Sequence, residues 1–144
     1  MANNLINNSR VKVKVKKGAK SVSSRRWLER QLNDPYVIAA KNDGYRSRSA
    51  YKLIEINEKY NLFKKGQAVV DLGSAPGGWS QVASKFIGSP NKGKIVSIDI
   101  QDVEPIEGVI FINGSIMDEE IITVIKQKLA SKADLIISDM APHA

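Results

Sequence analysis

A short apolar run that leads directly into a glycine-rich loop constrains this sequence more than any other feature. Residues 69–79 read Val-Val-Asp-Leu-Gly-Ser-Ala-Pro-Gly-Gly-Trp, and an amphipathic helical pattern follows them. Glycines allow a backbone to approach a ligand closely. In a strand–loop–helix unit of a parallel sheet, the loop lies at the carboxyl edge of the strands, where ligands bind. The segment therefore predicts a ligand site at the edge of a parallel sheet.

Strand and helix patterns alternate through the rest of the chain. Short apolar runs between turn residues predict strands, and apolar residues at helical spacing predict helices. The predicted strands are 68–72, 94–99, 109–112 and 135–138, and the predicted helices are 47–60, 79–87 and 118–129. This alternation is typical of an α/β domain in which helices flank a parallel sheet.

The region before residue 66 has weaker patterns. Residues 1–23 are predicted to form a basic, disordered arm. Ser24 is predicted to cap a short helix, because a serine side chain accepts hydrogen bonds from the amides of a first helical turn. The apolar side of that helix carries Trp27, Leu28 and Leu32. A second short helix is predicted over 36–42, followed by an Asp-Gly turn.

The charges around the glycine loop favour a cationic ligand over a dinucleotide. A dinucleotide site has the pattern Gly-x-Gly-x-x-Gly, with a helix N-terminus against a pyrophosphate. Here Gly73, Gly77 and Gly78 form the pattern Gly-x-x-x-Gly-Gly, preceded by the carboxylate of Asp71. That carboxylate would repel a pyrophosphate, whereas it suits the ammonium and sulfonium groups of S-adenosylmethionine. A phosphate-loop lysine followed by Ser or Thr is absent, which disfavours nucleotide hydrolysis.

Two further residues extend this interpretation to a nucleoside. Asp99 ends the next predicted strand, 28 residues after Asp71, and a carboxylate in such a place can accept hydrogen bonds from both ribose hydroxyls. Trp79 follows the loop and is expected to contact the adenine. The alternatives are that both acids are ordinary strand-end residues and that Trp79 belongs to the core.

Positive charge is concentrated at the front of the chain. Residues 1–52 hold 13 Lys and Arg against three acids, whereas residues 53–144 hold 9 against 12. A basic front on a mildly acidic body favours a polyanionic partner such as nucleic acid. The candidates for contacts with RNA phosphates are Arg25, Arg26, Arg46 and Arg48. The alternative is a solubilising tail.

Composition excludes several other classes of site. The chain has no cysteine and one histidine, so neither a disulfide nor a metal site built from these residues is expected. No apolar run approaches the roughly 20 residues of a membrane span, and no signal-peptide pattern is present. We expect a cytoplasmic monomer that makes no membrane contact.

Five segments together resemble a known family. They are Ser24-Arg25-Arg26-Trp27-Leu28, Asp34-Pro35-Tyr36-Val37, residues 44–53, residues 71–81, and Ser138-Asp139-Met140-Ala141-Pro142. Across roughly residues 24–142 the chain resembles the FtsJ/RrmJ-type ribose 2′-O-methyltransferases, and most closely those that act on bacterial large-subunit ribosomal RNA. The resemblance implies a Rossmann-like class I fold that depends on S-adenosylmethionine.

The resemblance also implies roles for particular residues. The family uses a Lys–Asp–Lys–Glu set around the transferred methyl group, and its first lysine and aspartate match Lys52 and Asp139. A family acid near the adenine falls on Ser115, which can hydrogen-bond but carries no charge, and no role is assigned to His143. With the loop, the expected cofactor-binding residues are Asp71, Gly73, Gly77, Gly78, Trp79, Asp99, Ser115 and Asp139. Without the resemblance, Lys52 would be interpreted as a solvated helix lysine.

The family fold has seven strands, and its second lysine and glutamate lie on the later ones. Residues 66–144 are therefore expected to form the N-terminal half of the methyltransferase domain, with the C-terminal strands missing. Residues 24–65 are expected to be a helical segment that faces RNA.

The leading hypothesis is an enzyme that methylates a ribose 2′-hydroxyl, on a uridine, in large-subunit ribosomal RNA or the assembled large subunit. The alternatives are a catalytically inactive RNA-binding fragment of such an enzyme, and a methyltransferase that acts on protein or a small molecule.

Overall fold

A computed structural model of the chain describes residues 21–140, which form one parallel sheet with helices on both faces. The helices are Val22–Asn33 (α1), Pro35–Asp43 (α2), Ser49–Tyr60 (α3), Gly78–Ile87 (α4) and Glu119–Leu129 (α5). The strands are Ala68–Leu72 (β1), Lys94–Asp99 (β2), Val109–Asn113 (β3) and Leu135–Ser138 (β4). The strand order is β3-β2-β1-β4, and every pairing between these strands is parallel.

Strand β1 lies between β2 and β4, so the glycine loop that follows it opens between two neighbouring strand ends. Asp71 pairs in register with Ser97 of β2 and Ile137 of β4. β1 is buried on both faces, which explains its nearly continuous apolar sequence. The loop, Asp99 and Asp139 consequently share one edge of the sheet.

Two apolar layers cover the faces of the sheet, because successive strand residues point to opposite faces. One layer packs α3 and α4 on the sheet and includes Leu53, Val69, Val82 and Ile95. The other packs α5 on the opposite face through Ile125 and Leu129, against β-strand residues such as Val70 and Val96. Burial of these side chains holds the loop edge in a fixed geometry.

The sequence predicted the sheet region closely. β1, β2 and β4 have the predicted bounds, and β3 is one residue longer. α3 begins at Ser49, two residues after its predicted start. α5 begins at Glu119 because the side chain of Asp118 accepts a hydrogen bond from the amide of Glu120 and caps the helix.

The prediction for the first helix was wrong in two respects. The helix begins at Val22 and its cap is Ser21, whose side chain accepts from the Ser24 amide. The predicted boundary between residues 23 and 24 therefore falls inside α1. No residue of α1 is buried, and Trp27 and Leu32 are exposed, because α1 packs on α2 without a second layer over its apolar side.

Residues 1–20 and 141–144, which include most of the predicted arm and His143, lie outside the described residues. Within residues 21–140, no helix has the length and apolar content needed to cross a membrane.

Candidate active site

The glycine loop is fixed by hydrogen bonds to the end of β2. The amides of Gly73 and Ser74 both donate to the carbonyl of Ile98, at 2.9 and 3.1 Å, and the Ala75 amide donates to Oδ2 of Asp99 at 2.8 Å. Gly77 has a φ of 119°, and a Cβ there would lie 2.6 Å from Cδ1 of Ile106. Only glycine fits that position without displacing its neighbour.

Arg46 ties the loop to the segment that follows β2. Its guanidinium donates to the carbonyls of Pro76 at 3.3 Å and Pro105 at 2.8 Å, and also to the carbonyl of Glu104. Its amide donates to Oε1 of Gln81 at 2.8 Å. The structure thus gives Arg46 an internal role as a clamp, and contact of Arg46 with RNA stays a prediction.

Asp71 lies beneath the loop in a buried polar network. It is 1% exposed, and its Oδ2 accepts a hydrogen bond from Oγ of Ser80 at 2.7 Å. Ser80 also contacts Oγ of Ser97 at 2.6 Å. Burial raises the pKa of Asp71 to about 7; the Ser80 hydrogen bond opposes the rise, and Asp139 and Asp99 add to it. The site thus holds a carboxylate that titrates near neutrality.

A small cavity, here called the loop cavity, opens beside Asp71. It measures about 40 Å³, and its lining includes Asp71, Gly73, Ser74, Trp79 and Asp139. Oγ of Ser74 is buried without a hydrogen-bond partner. An unpaired buried hydroxyl is costly unless a ligand or water satisfies it. The loop cavity therefore offers a hydroxyl and two carboxylates to a polar or cationic ligand.

The side chain of Met140 lies against Gly73, in the space that a Cβ would occupy. This contact covers Gly73, which is one of the residues that line the loop cavity. A thioether side chain with several rotatable bonds can be displaced more easily than a branched one.

Asp99 and Ser115 lie at the same edge of the sheet, and both have local partners. Oδ1 of Asp99 accepts from the amide of Gln101 at 2.8 Å, in addition to the Ala75 amide. Oγ of Ser115 accepts from the amide of Met117 at 3.1 Å. Asp118 caps α5, so its carboxylate is engaged at the helix terminus.

Trp79 belongs to the core and also lines the loop cavity. Its Nε1 donates to the carbonyl of Ser49 at 2.9 Å, which joins α4 to the start of α3. The position of Trp79 is thus compatible both with a role in the core and with contact to a bound adenine.

Lys52 and Asp139 meet although they are 87 residues apart in sequence. Nζ of Lys52 lies 3.3 Å from Oδ1 of Asp139 and 6.0 Å from the ring centroid of Trp79. The Lys52 side chain is 63% exposed and that of Asp139 is 34% exposed. The structure brings together the two residues that the family resemblance assigned to catalysis.

Both residues of this ion pair line a second and larger cavity, here called the helix cavity. It measures about 460 Å³. Its lining residues are Tyr36, Arg48, Ser49, Tyr51, Lys52, Glu55 and Asp139. Asp139 lines both cavities, so its carboxylate stands between a small buried compartment and a larger open one.

The predicted RNA-contact residues differ in their surroundings. Arg48 pairs with Asp34 and lies over the ring of Tyr36, with Cζ 5.2 Å from the centroid. Arg25 and Arg26 lie on α1, and neither lines the loop cavity or the helix cavity.

The unpaired hydroxyl of Ser74 was not predicted from the sequence, because no sequence pattern indicates that a buried serine lacks a hydrogen-bond partner.

A parallel α/β sheet with a glycine loop, flanking acids and a Lys–Asp pair at its carboxyl edge defines a Rossmann-like protein of the methyltransferase class. The chain belongs to the FtsJ-like methyltransferase family, whose profile matches residues 45–144.

Relatives and a solved structure support this placement. The chain is 54% identical over 135 residues to the ribosomal RNA large subunit methyltransferase E of Brucella ovis and to that of Brucella canis; each match covers 93% of this chain and 56% of the relative. A crystal structure of a ribosomal RNA methyltransferase from Plasmodium falciparum is similar at a TM-score of 0.61 and 38% identity, over 69% of this chain and 58% of that one. The chain thus spans about half the length of the curated relatives that it matches.

Proposed function

We propose that this chain carries the donor-binding and first acceptor-facing residues of an S-adenosylmethionine-dependent ribose 2′-O-methyltransferase. Its substrate would be a uridine in large-subunit ribosomal RNA, presented on a nearly assembled subunit. The ion pair between Lys52 and Asp139 carries this proposal, because both residues line the helix cavity and Asp139 also lines the loop cavity. The names of the relatives favour ribosomal RNA over a protein or small-molecule acceptor.

The residues along the loop edge fit the polar groups of S-adenosylmethionine, and the loop cavity itself, at about 40 Å³, has room for only a small polar group of the donor. Its ammonium and sulfonium groups are cationic, and Asp71 and Asp139 offer carboxylates to them. Ser74 lacks a partner that a polar group of the donor would supply. When bound, the donor supplies an electrophilic methyl group. Asp99 and Ser115 would hold the adenosine, since both lie along the same sheet edge.

Methyl transfer to oxygen requires that nucleophile, methyl group and sulfur lie in line, and such positioning lowers the barrier. In this proposal the ribose enters from the helix cavity. Asp139 and Lys52 then hold the 2′-hydroxyl, and its proton would pass to the Asp139 carboxylate as the oxygen–methyl bond forms and the sulfur–methyl bond breaks. The Lys52 ammonium stabilises negative charge that develops on the oxygen.

The test has two measurements on the same protein. Isothermal titration with S-adenosylmethionine at pH 8, above the pKa of Asp71 of about 7, should show one site per chain. Asp71→Asn should weaken this binding roughly tenfold because a carboxylate near a cation is lost. Lys52→Ala should leave this affinity unchanged. Absence of donor binding by the folded chain would refute the proposal.

The second measurement is transfer of a radiolabelled methyl group to undermethylated large subunits. Lys52→Ala and Asp139→Asn should abolish any transfer that the wild-type chain supports. A chain that binds donor and RNA without transfer would instead favour the RNA-binding alternative, which the basic side chains of Arg25 and Arg26 on α1 also support.

A further inference from the structure

The corner between α1 and α2 holds Arg48 in a fixed position. Oδ1 of Asp34 accepts from the amides of Tyr36 at 2.8 Å and Val37 at 3.3 Å, and so caps α2. Oδ2 of the same carboxylate pairs with Nη1 of Arg48. Because the cap fixes the carboxylate to the backbone, the ion pair restrains the guanidinium. The Tyr36 ring, within cation–π range, restrains it further.

The restrained guanidinium faces the helix cavity. Arg48 is the residue that precedes α3, and Lys52 and Glu55 follow at helical spacing, so the three side chains share one side of the helix. Ala50 and Leu53 are buried on the opposite side. Four residues advance a helix by about 6 Å, so the backbone separation of Arg48 and Lys52 is comparable to the spacing of neighbouring nucleotides in a single strand.

The surroundings of Arg48 favour a planar ligand over a phosphate. Asp34 already offsets the charge of the guanidinium, so a phosphate would have to compete with that carboxylate. The Arg48 side chain is nevertheless 51% exposed. Proteins that recognise unpaired RNA stack bases on aromatic rings or on guanidinium planes. A cavity of about 460 Å³ is within the range that encloses small organic ligands.

We propose that Arg48, positioned by Asp34 and Tyr36, stacks on an unpaired RNA base adjacent to the ribose held at Lys52 and Asp139. This proposal rests on the proposed function, because it takes RNA as the substrate. It gives the Asp34-Pro35-Tyr36 segment a role as a positioning element. It also changes the expected role of Arg48 from phosphate contact to base contact.

Fluorescence anisotropy with two labelled RNAs tests the proposal. One RNA is a stem-loop with a uridine-rich loop, and the other is a blunt duplex with the same number of phosphates. Arg48→Ala and Arg48→Lys should both bind the stem-loop about tenfold more weakly than the wild-type chain, since stacking on one base has roughly that effect. Both should bind the duplex within about twofold of wild type, and the slope of log Kd against log salt should not change.

Arg26→Ala is the matched control, because a lost phosphate contact should weaken both RNAs equally and reduce the salt slope by about 1. If Arg48→Ala behaves in that way and Arg48→Lys binds like wild type, Arg48 contacts a phosphate and the proposal is overturned. Equal binding of the stem-loop by wild type and both Arg48 variants would also overturn it.

Asp34→Asn tests the positioning step. Asparagine keeps the helix cap but removes the ion pair, so the melting temperature should be unchanged while the preference for stem-loop over duplex falls. An unchanged preference would overturn the role of Asp34. Titration with S-adenosylmethionine should give wild-type affinity for every variant. If the wild-type chain binds neither RNA, both the proposed function and the stacking proposal are refuted. If the wild-type chain binds the RNAs but not S-adenosylmethionine, only the proposed function is refuted.

Discussion

The two cavities share Asp139 but are built in opposite ways. The loop cavity is small, and the polar groups Asp71 and Ser74 that line it are buried. The helix cavity is more than ten times larger, and Lys52 and Arg48 line it with largely exposed side chains. A buried polar group has a strong effect on a small ligand because little water screens it. Exposed charges instead remain accessible to a partner that is too large to enter the fold.

The two regions are also held in different ways. Backbone hydrogen bonds and glycine geometry position the loop cavity, whereas ion pairs between side chains position the helix cavity. Substitutions around the loop cavity should therefore change the free energy of unfolding, and substitutions around the helix cavity should mainly change binding. Two predictions on the free energy of unfolding test this difference, and a third tests access of a ligand to the loop cavity.

The largest effect is expected at Asp71. Its folded-state pKa of about 7 lies above the ordinary value of 3.8, so the folded state binds a proton more tightly than the unfolded state. The stability that this proton contributes is fully present below about pH 4 and is lost as the pH rises through 7. A difference of this size corresponds to at most about 4 kcal/mol.

Asp71→Asn retains an acceptor for the Ser80 hydroxyl and cannot ionise. It should be more stable than wild type at pH 8, by a few kcal/mol, and similar to wild type at pH 4. Urea unfolding at a series of pH values measures this. Asp118→Asn, which removes a surface carboxylate but retains a helix cap, is the control. If Asp71→Asn is less stable than wild type at pH 8, a cation or another partner already stabilises the ionised carboxylate.

A smaller difference is expected between two neighbouring arginines. Arg46 donates to three backbone carbonyls that join separate loops, so Arg46→Ala should lower the free energy of unfolding by about 1–2 kcal/mol. Arg48 has an exposed ion pair, and Arg48→Ala should change that free energy by less than about 0.5 kcal/mol. Urea unfolding at one pH compares them. Equal losses would show that the ion pair of Arg48 also stabilises the fold.

The roles of the same two arginines could not be told apart from the sequence. Both lie in an Arg-Ser-Arg segment and have the same residue type, so the sequence assigned them one role. The structure gives the two arginines different contacts. Arg46 donates to backbone carbonyls that are 30 to 59 residues away in sequence. No local pattern encodes such long-range partners.

The sheet was predictable for the opposite reason. Strand β1 and its loop are defined by apolar burial, alternation and glycine positions, which all act within a few residues. The family resemblance then placed Lys52 beside Asp139, a contact that spans 87 residues. Helix α1 was misplaced because its start depends on which of several serines caps it. Ser21, Ser23 and Ser24 are all suitable caps.

The smallest expected effect is at Met140, which lies over Gly73, one of the residues that line the loop cavity. Its side chain occupies the space over Gly73 and is 55% exposed, so a donor that uses this space must displace it. Met140→Ala removes the obstruction and should increase affinity for S-adenosylmethionine about threefold, less than 1 kcal/mol. Met117→Ala, at an exposed methionine that does not contact a glycine of the loop, should have no effect. Titration calorimetry measures both. If Met140→Ala binds the donor more weakly, the side chain is a wall of the donor site and not an obstruction. A flexible side chain, and not only the backbone, would then shape the donor site at the loop cavity. The loop cavity and the helix cavity would differ less in how their residues are positioned.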